Sequence, residues 1–141
     1  MSLSSDIQGM VKDKPETLEI DVSKYMGLKP KTHVFRFIKP NLQKVSKVPS
    51  IVDWLKLQFS NNTIEEENRW EKELAHYVAV FMISFDKSCL AEEDQPSWRL
   101  TIAHFFQNLD VAFFEEMLEL YREAFPKVLP TTEAVDEAKN D

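Results

Sequence analysis

After Gly27 the chain runs 114 residues without another glycine. At average usage a chain of this length carries about ten glycines, whereas this one has two, Gly9 and Gly27, both near the N-terminus. Glycine is what lets backbone approach a phosphate closely or turn through positive φ. Its absence excludes the Walker A loop and the dinucleotide fingerprint from most of the chain. It also means that helices here must start on Ser, Thr or Asp caps and stop at prolines, without glycine C-caps.

The apolar residues then define the elements. Leu18, Ile20 and Val22 alternate with Glu19 and Asp21, the period-2 signature of a half-buried strand. A second extended run, His33 to Ile38, places Phe35 and Phe37 on one face. The turn region between them, with Gly27 and Pro30, is long enough for an antiparallel return. A lone hairpin is marginal in water, so this β pair must pack on helices or on another chain.

From Asn41 the period changes. Leu42, Val45 and Val48, spaced by three between Pro40 and Pro49, predict one or two helical turns. Ser50 is placed to cap a helix carrying Ile51, Trp54, Leu55 and Phe59, which ends at Asn61-Asn62. Thr63 and Glu66 match a capping box, and the helix they open carries Trp70, Leu74, Tyr77, Val78, Phe81 and Phe85. Pro96 breaks the chain, and Ser97 is placed to cap a helix with Trp98, Ile102, Phe105, Phe106 and Leu109. Asp110 is placed to cap the last helix, whose stripe is Val111, Phe114, Leu118, Tyr121 and Phe125 before Pro126. The predicted fold is mostly α in the α+β class: a short N-terminal β pair on a bundle of four or five helices. Residues 1–16 read as a mobile arm, 17–126 as a single globular domain, and 127–141 as a disordered acidic tail.

Charge is unevenly placed. Residues 1–60 hold 10 Lys/Arg and 6 Asp/Glu, a net of +4, and residues 61–141 hold 7 against 18, a net of −11. The acidic half disfavours direct nucleic-acid binding, which phosphate neutralisation drives, and favours a basic protein partner or plain solubility. No apolar run is long enough to span a membrane, Met1–Met10 lacks the pattern of a secretory signal, and the single Cys89 fits a reducing cytoplasm.

Candidate chemistry is thin. Glu73 and His76 form Glu-x-x-His, a di-iron spacing, but no second copy accompanies it, since Thr101 precedes His104 by three. Cys89 reads as a small semi-buried thiol in preference to a nucleophile. No catalytic, cofactor or metal residue is assigned, and no enzyme is expected. The aromatics say more. Phe105-Phe106 and Phe113-Phe114 are adjacent pairs, and neighbours on a helix point about 100° apart. One helix buries both rings of a pair only if its apolar arc is wide, so some rings are candidates for a second, exposed face. Self-association and a partner groove both fit.

The order of elements resembles the tail assembly chaperones of long-tailed bacteriophages. The likeness covers residues 17–126: a β pair, a proline-bounded connector, a Trp-led helix ending near Asp86, the break Pro96-Ser97-Trp98, a short aromatic helix, and Leu109 to Met117 leading to Tyr121. The resemblance implies a non-enzymatic protein that covers hydrophobic helical stretches of the tape-measure protein, in host cytoplasm, before the tail tube polymerises. A client helix would lie in an aromatic groove of Trp98, Phe105, Phe106, Phe113 and Phe114, with Glu115, Glu116 and Glu119 steering basic segments. Two other classes stay open: an acidic inhibitor or adaptor on a basic nucleic-acid-binding or effector surface, and a small enzyme with an unrecognised polar cleft.

Overall fold

The computed structural model describes residues 2–12, 16–59 and 74–128. The architecture is mostly helical with one antiparallel β pair, the α+β arrangement expected. The order is α1 (Leu3–Lys12), β1 (Thr17–Asp21), β2 (Val34–Ile38), α2 (Leu42–Val45), α3 (Val48–Phe59), α4 (Ala75–Ser84), α5 (Trp98–Asn108) and α6 (Val111–Ala124). Five helices follow the β pair among the described residues.

The strands pair in the register that the alternation requires. Leu18 sits opposite Phe37 and Ile20 opposite Phe35, so the apolar residues of both strands share one face. Phe37 is fully buried there, against the rings of Phe81, Phe85 and Tyr121 at 5.3, 5.8 and 6.4 Å. Between the strands a 3₁₀ turn over Ser23–Met26 ends at Gly27, whose φ of 69° is the left-handed value glycine tolerates best. The Asp21 carboxylate ties this connection together by accepting from the Ser23 and Lys31 amides at 3.0 and 2.8 Å.

α4 is the centre of the molecule. Ala75, Val78, Ala79, Val80, Phe81, Met82 and Ser84 are all buried, because α2, α3, α5 and β2 pack around it. A stripe reading predicts one buried face, whereas a helix apolar nearly all round belongs in an interior. Ser84 is tolerated there because its hydroxyl donates to Val80 O at 2.8 Å, returning its proton to its own helix. The predicted start of this helix at Thr63, and Trp70, lie outside the described residues. At its other end Phe85 turns extended, forms an antiparallel bridge with Phe37, and is followed by Asp86 N donating to Arg36 O at 2.9 Å. The residues leaving α4 thus extend the free side of β2.

The helix ends show how a glycine-poor chain stops its helices. α4, α5 and α6 are capped by Phe85, Leu109 and Phe125, all at negative φ, and each cap's amide bonds back to the last turn. At the starts, Asn41 caps α2 by accepting from Lys44 N, and Asp110 caps α6 by accepting from Ala112 N, the latter as predicted.

Several expectations need correction. Leu3–Lys12, within the segment read as an arm, is helical, with every described side chain exposed. Ser50 does not cap α3: the helix has already begun at Val48, Pro49 occupies a first-turn position that needs no N–H, and the Ser50 hydroxyl donates to Lys47 O. Ser97 makes no side-chain cap bond, since its backbone is turned to φ −109°, ψ 23° instead of the extended form a cap requires. Leu42 is 87% exposed, so the short α2 does not bury its whole apolar spacing. Of the predicted tail, Lys127 and Val128 continue as a turn after α6, and the remainder lies outside the described residues.

Candidate binding surfaces

The aromatic groove expected from the sequence does not assemble. Phe106 and Phe114 are core residues, 6% and 7% exposed, and both rings pack on the buried Phe81 at 5.2 and 6.1 Å. Phe105 is half-buried, edge-on to Phe35 at 4.9 Å and to Phe106 at 5.2 Å. Trp98 stacks on Phe85 at 5.7 Å, beneath the Arg99 guanidinium. Phe113 faces elsewhere, stacked on Tyr25 at 4.6 Å. Both doublets are therefore accommodated by wide packing arcs: one ring of each enters the core and the other covers the β pair or the turn after β1. Trp98, Phe105 and Phe113 are each half-buried, and each is engaged with another ring of the protein itself.

The acidic set divides in the same way. Glu116 is held by Lys24 at 2.6 Å, across the cleft that also contains Tyr25, and both side chains remain open to solvent. Burial, with the Glu116 charge beside it, pushes the Tyr25 hydroxyl up to about 12. Glu115 and Glu119 stay exposed and, with Glu123, form a row spaced by four along the outer face of α6. Arg122, between these carboxylates in sequence, lays its guanidinium over the Tyr77 ring at 5.9 Å.

No group of three or more His, Cys, Asp or Glu among the described residues is arranged to hold a metal. Glu73 lies outside the described residues, and His76 is exposed. Burial pushes the Cys89 thiol up, the opposite of what an activated nucleophile needs. Arg36 bridges Glu19, directly across the sheet, and Asp86, at 3.2 and 3.4 Å. This cluster ties the end of α4 to the β pair.

The apolar concavity is on a different side. Val45, Val48, Pro49 and Val52 from α2–α3 face Val80 of α4 and Val128 across a groove of about 450 Å³, with Asp53 and His76 on its lining. Val45 is 38% exposed, and Leu42, one turn earlier, projects into solvent. Lys44 and Lys47 lie between these residues in sequence, and neither has a carboxylate within ion-pair distance among the described residues. Sequence reasoning placed Leu42, Val45 and Val48 on a short helix without assigning them a role. The available signal was that three apolar residues on one or two helical turns outnumber what such a short element buries. No helix among the described residues is long and apolar enough to cross a membrane. Compared with known protein families, curated proteins and solved structures, the chain shows no significant match to any.

Proposed function

We propose that this protein is a non-enzymatic module that binds an amphipathic helix of a protein client. The observation that carries the reading is the groove between α2–α3 and α4, lined by valines from three segments and open to solvent. Such a trough accepts side chains spaced i, i+3, i+4 and i+7 from a docked helix. The Asp53 carboxylate on its lining favours basic residues beside the client's apolar stripe. This moves the binding surface away from Trp98, Phe105, Phe106, Phe113 and Phe114, which are engaged in the protein's own packing.

In the role implied by the resemblance, the client is a hydrophobic helical segment of a tail tape-measure protein and the module is a tail assembly chaperone. Co-expression with helical tape-measure fragments is the test. A stable complex and a gain in fragment solubility are expected, both lost in Val45→Glu, whose side chain already reaches solvent. Absence of a complex with the unmodified chain overturns the proposal.

One observation favours a second reading, an acidic protein that occupies a basic nucleic-acid-binding or effector surface: the exposed row Glu115, Glu119 and Glu123. Under that reading Glu→Gln at these three positions abolishes partner capture while Val45→Glu leaves it intact. The helix-binding reading expects the reverse.

A further inference from the structure

The two edges of the β pair are treated differently. The outer edge of β2 is used by the chain itself, where Asp86 N donates to Arg36 O at 2.9 Å. The state of β1 follows from its ladder. Val22 N donates to His33 O at 3.0 Å and Lys39 N to Glu16 O at 2.9 Å, in the same register as the strands. Hydrogen-bonded pairs alternate along an antiparallel ladder, so Leu18 and Ile20 turn their main-chain groups to β2, while Thr17, Glu19 and Asp21 turn theirs away. The main-chain groups of these three make no hydrogen bond among the described residues.

A cleft of about 380 Å³ runs along this edge. Glu19, Ile20 and Asp21 all line it. Successive side chains of a strand point to opposite faces, so a cavity that touches all three lies beside the β1 backbone itself. Its lining also includes Glu116 and Leu120 of α6 and, from the connection between the strands, Leu28 and Pro30. Leu28 is 44% exposed, so apolar surface lies open next to unpaired main chain.

We propose that the β1 edge docks an extended segment of another protein in which a lysine or arginine stands between two apolar residues. An antiparallel strand added here exchanges both main-chain bonds with Glu19 and so sets one partner side chain directly opposite the Glu19 carboxylate. Arg36 holds that carboxylate from the β2 side, and the incoming cation meets it from the other. The two neighbouring side chains point to the opposite face, toward Ile20 and the apolar part of the cleft. Charge selects this occupant. The lining holds three carboxylates, Glu19, Asp21 and Glu116, against one ammonium, Lys24, and the Glu19 and Glu116 side chains are 55% and 41% exposed. A second copy of β1 is disfavoured on the same ground. Full antiparallel overlap puts Glu19 against Glu19, and like charges directly opposite destabilise a pair. The docking site is separate from the α2–α3–α4 groove and does not rest on it.

The test is titration of the isotope-labelled full chain with an end-blocked peptide alternating valine and lysine, followed by amide NMR spectra and hydrogen exchange. Saturable shifts are expected at Thr17, Glu19 and Asp21, with exchange of the Glu19 amide slowed by the peptide, whereas Leu18 and Ile20 are protected beforehand. Glu19→Gln is expected to weaken binding by about threefold to fivefold, with an unchanged thermal transition. Val45→Glu should leave binding unaltered. In the bound register the lysine amides face β1, so N-methylation of the lysine amides should weaken binding by about tenfold, and N-methylation of the valine amides should not. No saturable shift up to millimolar peptide, binding indifferent to methylation of the lysine amides, or equal binding of a valine–glutamate peptide overturns the proposal. A Glu19 amide protected without peptide, increasingly so with protein concentration, assigns the edge to a second copy and overturns it likewise.

Discussion

Removing the Ser84 hydroxyl strands the phenol of Tyr121. The two oxygens lie 2.6 Å apart at the contact of α4 with α6, and both residues are fully buried. Because the Ser84 hydroxyl proton is committed to Val80 O at 2.8 Å, the Tyr121 phenol must be the donor in this pair. Ser84→Ala therefore leaves a buried donor without its acceptor, which costs about 1–3 kcal/mol. Tyr121→Phe removes one bond but leaves Ser84 bonded to its own helix, at about 0.5–1.5 kcal/mol. The double variant replaces both partners by apolar groups and leaves no orphan, so it falls close to Tyr121→Phe alone. The two losses are thus strongly non-additive, with a coupling of about 1–2 kcal/mol. Urea unfolding followed by circular dichroism reads this directly: the Ser84→Ala midpoint falls by roughly 1 M for a slope of about 2 kcal/mol/M. Two additive losses would refute the donor assignment.

The same phenol predicts an alkaline effect. Burial pushes Tyr121 up to about 12 from 10.0, so its contribution is complete below pH 10 and is lost as pH rises toward 12. Tyr121→Phe should flatten that limb of the stability profile, and an unchanged limb would refute the burial argument. In acid the signs reverse. Hydrogen bonding by Ser23 and by the Lys31 amide holds Asp21 below the usual carboxylate range, and Ser88 does the same for Asp86. Stability from these two carboxylates is present above pH 3.8 and is lost as pH falls below it, a loss that Asp21→Asn with Asp86→Asn should reduce in an acid titration. Phe81→Ala, which removes the ring shared by Phe37, Phe106, Phe114 and Tyr121, should cost about 3–5 kcal/mol in the same unfolding assay. The two glycines should respond to alanine with opposite signs. Gly27→Ala meets no steric obstacle, yet it forces a side chain to φ 69° and costs about 1–2 kcal/mol on unfolding. Gly9→Ala should raise the helicity of α1, by far-UV circular dichroism, by favouring its helical form by about 0.5–1 kcal/mol.

Elements governed by neighbours a few residues apart are legible in the sequence alone. Alternation at Leu18, Ile20, Phe35 and Phe37 dictates which strand face is buried, because side chains in a strand repeat every two residues. The Asp110 cap and the stripe Phe114, Leu118, Tyr121 and Phe125, from which the expected Val111 departs at 50% exposed, are local in the same sense, set by side-chain geometry within a turn or two. The apolar stripe of α1 is equally local, spaced at Leu3, Ile7 and Met10, but its polar surroundings read as an arm.

Other features depend on residues far apart in the chain. Phe105 and Phe106 are equally apolar, and only the placement of Phe81 and Phe35 makes one ring core and the other cover. Phe85 continues a helical spacing, yet it leaves the helix because β2, nearly 50 residues earlier, offers an unpaired edge. Arg36 and Asp86 meet for the same reason, and so do the valines that line the groove. The glycine-free run after Gly27 required helices that end without left-handed caps, and α4, α5 and α6 end that way. Where those helices leave apolar surface open was decided by packing between distant segments, which local spacing does not encode.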